Sequence, residues 1–125
     1  ANTNNADLYV AIHTNSVDGN PDANGSLVLY GPTKDSAITD GSITSKELGA
    51  LILEGLCGAI GTNNQGTREG DEFIVINKTT MPSVIVELGF ITNLGDRAIL
   101  MDDAKRQDAA RGIAQGILRA LEKVH

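Results

Sequence analysis

The sequence predicts a three-layer α/β domain, a mixed and mostly parallel sheet flanked by helices, and three observations carry that expectation. "SVIVELGF" (83–90) is almost continuously apolar, as a strand buried on both faces with helices on each side should be. Two long stretches, 42–61 and 103–123, carry apolar residues at three- and four-residue steps, the pattern of amphipathic helices. The predicted order is strand, strand, helix, strand, strand, helix, helix, and 125 residues suffice for one domain with a real core.

Each element has its own signal. "DLYVAIH" (7–13) is an apolar, partly alternating run and reads as a sheet-core strand. "TNSVDGNPDANG" (14–25) is dense in turn formers and reads as a long loop, a length that usually goes with function or mobility. "SLVLYG" (26–31) is a second strand, ended by Gly31 and Pro32. In 42–61 the stripe is Leu48, Leu51, Ile52, Leu56, Ala59 and Ile60, with Ser42 or Thr44 as cap and Glu47 completing a capping box with Thr44. "GTNNQG" (61–66) supplies Gly and Asn where a helix stops. "EFIVIN" (72–77) and 83–90 are the third and fourth strands. Asn93 caps a short helix from 94 to about 101, and the last helix has Ala110, Ile113, Ala114, Ile117, Leu118 and Leu121 on one stripe.

Composition excludes several classes of function. A net charge of −6, with Lys and Arg scattered, argues against a nucleic acid or anionic membrane partner. Aromatics are 3% and Trp is absent, so the core is aliphatic and a base-stacking platform is not expected. No stretch is long enough to span a bilayer. Cys57 stands alone and has no second internal histidine to activate it, so a small core residue is the expected role. A G-x-S-x-G nucleophile elbow is missing, and "DGNPDANG" lacks the spacing and final Glu of a calcium loop.

Two polar residues stand where the strand pattern wants apolar ones. His13 ends the first strand; it is either a hydrogen-bonded, inert strand-end residue or a neutral imidazole serving as metal ligand or general base. The other histidine, His125, is the last residue. Glu87 lies between Val86 and Leu88, where an unpaired carboxylate costs several kcal/mol. It is either paired with a base such as Arg68 or tuned upward as a general acid/base. In open α/β sheets active residues gather beyond the carboxyl ends of the strands, so His13 and Glu87 are expected at one rim. Arg68 and Asp71 in "NQGTREGDEF" either line that rim or are solvated loop charges. Asn15 is expected to hydrogen-bond either the loop or a substrate amide.

Taken together, "ADLYVAIHTNS", "GSLVLYG" and "NQGTREGDEFIVINKTTMPSVIVELGFITN" resemble the zinc-dependent N-acetylmuramoyl-L-alanine amidases of the amidase-3 family, from about residue 6 to the C-terminus. The resemblance implies a bacterial peptidoglycan hydrolase, acting in the cell wall, periplasm or outside the cell. It would cleave the amide between N-acetylmuramic acid and the L-alanine of the stem peptide. His13 matches the family's second zinc histidine and Glu87 its catalytic glutamate. By the family mechanism Zn2+ polarises the amide carbonyl and activates a water whose proton the glutamate handles. The family also has a first strand ending in a "GHGG"-like turn and a helix bearing a glutamate ligand, and nothing here matches them. The resemblance thus implies that residues 1–125 are a catalytic domain lacking its N-terminal segment, with one zinc ligand of three and a sheet edge open to pairing. The alternative is a non-catalytic relative that binds peptidoglycan or a partner.

Overall fold

In the computed structural model residues 1–31, 43–70 and 72–123 are described. Pro32, Ser42, Asp71 and His125 lie outside them. A single 3-10 turn at Asn2–Asn4 precedes β1 (Tyr9–Asn15), β2 (Ser26–Tyr30) and α1 (Ser45–Ile60). Then come β3 (Asn64–Glu69), α2 (Ile74–Asn77), β4 (Ser83–Phe90), α3 (Leu94–Leu100) and α4 (Asp103–Glu122).

The helix ends follow local chemistry. The Thr44 hydroxyl accepts from the Glu47 N–H at 3.1 Å while the Glu47 carboxylate accepts from the Thr44 N–H, the expected capping box. Gly61 ends α1 in the left-handed region at φ 75°, a conformation that is free of strain only without a Cβ. The Asn93 side chain accepts from the Asp96 N–H at the start of α3, and Asp102 caps α4.

The sheet runs β1-β4-β2-β3, with β4 parallel to β1 and antiparallel to β2, and β2 parallel to β3. It is mixed and mostly parallel, as the sequence predicts. Val28, Val84 and Val86 point to one face, where they meet Leu48, Ile52 and Leu56 of α1 in the main core. A Cβ on Gly49 would lie 2.8 Å from Val28 Cγ1, so α1 rests directly on the sheet. Successive strand residues alternate sides, so Leu27, Leu29, Ile85 and Glu87 face the other way. On that second face sits the single turn α2, with buried Ile76 against Leu29 and Gly70 and its carbonyl accepting from the Ser83 hydroxyl at 3.0 Å. Among the described residues, α2 thus flanks the second face at its Ser83 end.

Three expectations are corrected. The third strand is not 72–77 but 64–69, "NQGTRE", inside and just after the stretch read as a helix stop. Its pairing with β2 comes from backbone hydrogen bonds, and it has no apolar run to announce it. "EFIVIN" instead contains the turn α2, in which only Ile76 is buried while Phe73, Ile74 and Val75 are partly or largely exposed. A short continuous apolar run does not separate strand from helix by periodicity. The α4 stripe is also rotated. Its buried residues are Ala109, Gly112, Ile113, Gly116 and Ala120, whereas Ala110, Ala114 and Leu118 are exposed. The reason is glycine: a Cβ on Gly112 would sit 2.5 Å from the Gly55 carbonyl, so α4 turns its smallest residues to α1 for backbone contact.

Candidate active site

β1 and β4 bring His13 and Glu87 together. They are direct register partners in a parallel pair, so both side chains leave the sheet on the same face. On the other side of β4, Leu27 is the register partner of Glu87 and flanks it with an apolar wall. Just past the pair the register slips, with His13 to Asn15 on β1 matched by Glu87 to Phe90 on β4. Such irregularities re-aim side chains at strand ends.

The carboxylate is 12% exposed and the imidazole 52%, so a buried acid sits beside an accessible base. His13 Nδ1 lies 3.8 Å from Glu87 Oε1, close enough for attraction but too long for a hydrogen bond. Glu87 Oε2 is buried with no hydrogen-bond partner among the described residues. Burial lifts the Glu87 carboxyl above its ordinary value, and the nearby His13 imidazole draws it part of the way back. A proton acceptor held this way, with one oxygen unspent, is ready to take a proton from a group entering the site.

The other two candidates stand farther off. The half-buried Asn15 spends its side-chain oxygen on the Ser16 N–H at 2.9 Å, and its backbone carbonyl accepts from the Ile91 N–H. That is the loop role. Its side-chain N–H2 group has no partner among the described residues. Arg68 lies on β3, beside Leu29 and two strands from β4, and does not pair with Glu87. It lines an open cleft on the Glu87 face of the sheet with Leu27 and Phe90. Cys57 is half-buried against the core, as expected, with only a weak contact from the Thr62 hydroxyl at 3.7 Å.

Sequence reasoning passed over one organiser of the site, Asp96. It is 6% exposed, and its Oδ2 accepts from the N–H groups of Gly25 (2.7 Å) and Phe90 (2.9 Å). This joins the start of β2, which carries Leu27, to the end of β4, which carries Glu87. The Asn93–Asp96 spacing signals the cap, but nothing local signals a carboxylate turned inward to distant amides.

Zinc would find suitable donor chemistry in an imidazole and a carboxylate whose second oxygen is orphaned. Those are two groups, and among the described residues there is no cluster of three or more His, Cys, Asp or Glu able to hold a metal. The described residues do not by themselves make a zinc site, which takes about three protein ligands.

Residues 1–119 match the amidase-3 family, described as N-acetylmuramoyl-L-alanine amidase. The uncharacterised protein YqiI of Bacillus subtilis is 37% identical over 117 residues, which cover 94% of this chain and 52% of YqiI. The N-acetylmuramoyl-L-alanine amidase LytC of the same organism is 36% identical over 111 residues, covering 89% of this chain and 21% of LytC. Among solved structures, the N-acetylmuramoyl-L-alanine amidase AmiC2 of Nostoc punctiforme superposes with a TM-score of 0.81 at 34% identity, over 94% of this chain and 59% of that one. The catalytic domain of CwlV from Bacillus (Paenibacillus) polymyxa var. colistinus gives 0.79 at 33%, over 96% and 60%. The chain therefore spans about half of YqiI and about three fifths of these solved chains. With the match running through both site strands, the chain belongs to the amidase-3 family of N-acetylmuramoyl-L-alanine amidases.

Proposed function

We propose that the protein hydrolyses the amide between N-acetylmuramic acid and the L-alanine of the peptidoglycan stem, with Glu87 as general base and then general acid. The observation that carries this reading is the buried carboxylate with an unpartnered oxygen beside an accessible imidazole, in a chain of the amidase family. Glu87 takes a proton from the attacking water as its oxygen bonds to the carbonyl carbon. It then returns that proton to the nitrogen as the C–N bond breaks, leaving a carboxylic acid and a free amine. Burial supports the second half, since a carboxyl raised above its ordinary value holds the proton long enough to deliver it.

His13 is proposed as a ligand to Zn2+, the one such histidine among the described residues. When bound, the metal would supply Lewis-acid polarisation of the carbonyl. Asn15 is proposed to donate its free N–H2 to a substrate carbonyl, its oxygen being already engaged. A substrate in the bacterial wall places the activity outside the cytoplasm, either in a bacterium or as a phage lysin acting there. No described helix is long and apolar enough to cross a membrane.

The test is digestion of purified peptidoglycan by the protein with and without added zinc, following new alanine amino termini. Their release, abolished in Glu87→Gln while zinc retention is unchanged, supports the reading. Near-normal release by Glu87→Gln would sink the acid/base assignment, and binding to sacculi with no released peptide would favour a binding module instead.

A further inference from the structure

The catalytic pair occupies only part of the sheet face that carries it. Beyond Leu27 the same face opens into a cleft of about 340 Å³, whose lining includes Val17, Asp22, Asn24, Leu27, Arg68 and Phe90. Its walls are tied down. Asn63 donates to the Asn24 side chain at 2.7 Å, Gln65 to the Asn24 carbonyl at 2.9 Å, and Asn93 to the Pro21 carbonyl at 2.9 Å. Its lining mixes polar and apolar side chains and includes Leu27, the register partner of Glu87. The cleft is thus a continuation of the catalytic face.

Arg68 is the cation of this cleft. Arg106, Arg111 and Arg119 each engage a carboxylate on their own surfaces, whereas Arg68 makes no ion pair or hydrogen bond among the described residues. Asp22 lines the cleft as well and is not paired with Arg68, which leaves the guanidinium open to an incoming anion. In a chain of net charge −6 long-range attraction of an anion is unfavourable. A free guanidinium here acts by contact, through the planar fork that matches a carboxylate.

Spacing selects the ligand group. Strands lie about 4.8 Å apart, so two strands separate Glu87 from β3 by about 10 Å, and the two-residue offset from Leu27 to Leu29 adds about 7 Å along the strand. The backbones at Glu87 and Arg68 are then about 12 Å apart. With Glu87 at the amide and Arg68 in the lining of the cleft, and allowing for the reach of both side chains, that span suits one to two residues of extended peptide at about 3.3–3.6 Å each. A glutamate joined to the alanine and continued through its side-chain carboxyl exposes a free α-carboxylate at that distance. Its amidated form presents a neutral carboxamide instead.

We propose that this cleft is a peptide subsite in which Arg68 binds the free carboxylate of the residue following the alanine, so that the protein selects unamidated over amidated stems. The proposal rests on the amidase reading above for the identity of the peptide. It is tested at the level of binding, so that the two can fail separately.

The probes are N-acetylmuramoyl-L-alanyl-D-isoglutamate and its isoglutamine counterpart, titrated into the protein and into Arg68→Gln and Arg68→Lys by calorimetry or amide NMR. The expected result is about tenfold tighter binding of the carboxylate, the size of one charge-assisted contact. That preference should fall to parity in Arg68→Gln through loss of carboxylate affinity alone and return in part in Arg68→Lys. A general structural defect would weaken both probes together. Equal binding of the two probes, an unchanged ratio in Arg68→Gln, or binding of neither overturns the proposal. A preserved tenfold preference with no amide cleaved in the digestion above would instead overturn the amidase reading and leave the subsite standing.

Discussion

Glu87 has one buried oxygen without a hydrogen-bond partner among the described residues, and that condition makes it useful and costly at once. Because the folded state raises its carboxyl above the unfolded value, the folded chain binds the proton more tightly than the unfolded chain does. The stability linked to that proton is complete below the unfolded value and is lost as pH rises through the folded one. Glu87→Gln removes the charge and with it the loss. At pH 7–8 the variant is expected to melt about 3 °C above the parent, for roughly 1 kcal/mol, with the gap closing towards pH 4. Calorimetric melts across that range check it; a gap that ignores pH, or a variant less stable at neutral pH, would count against a strained ionised carboxylate. The sequence exposes this residue and His13 because each is polar inside an apolar strand. It does not expose Asp96, whose partners Gly25 and Phe90 are supplied by tertiary structure.

At the scale of elements, legibility followed apolar content. β4 and α3 lie where hydrophobic pattern and cap spacing put them, and α1 starts at one of the two caps proposed for it, because those signals are local. β3 escaped because "NQGTRE" offers no apolar alternation, and its register is imposed by the β2 backbone. The facing of α4 escaped because glycines carry its contact with α1, whereas a hydrophobic pattern weights large residues. Two alanine substitutions separate contact from propensity. A Cβ added at Gly58 in α1 would meet nothing within 4 Å, so Gly58→Ala should stabilise by about 0.5–1 kcal/mol through helix propensity. At Gly112 the added methyl meets the Gly55 carbonyl and the Ala59 Cβ at 2.5 and 2.9 Å, and Gly112→Ala should cost at least about 2 kcal/mol as the helices are forced apart. Urea midpoints of the two variants check the pair; equal and opposite shifts are not required, but a neutral Gly112→Ala would mean that α4 does not bear on α1 at this point.

Over the whole molecule the sheet has a structural face and a working face. α1 packs on the first with α4 against it, while the second, among the described residues, is covered by α2 at one end and carries Glu87, His13 and the Arg68 cleft at the other. Long-range polar ties help hold the working end, and Asp96 links three segments there. A single oxygen receives amides from the segment before β2 and the end of β4, while the residue's own N–H is held by Asn93 at the start of α3. Asp96→Ala strands two buried amide groups, at about 1–3 kcal/mol each, so a loss of about 2–6 kcal/mol is expected from a total of about 5–15. Asp96→Asn keeps an oxygen for both amides and loses only the charge, so it should retain most of that stability. The location of the damage distinguishes this tie from an ordinary core contact. Hydrogen exchange in Asp96→Ala should accelerate first at Gly25 and Phe90, leaving the amides of α1 and α4 at the rate set by global unfolding. Loss of less than about 0.5 kcal/mol, or exchange that quickens evenly through the helices, would show that the two strand ends are held in place by something other than this carboxylate.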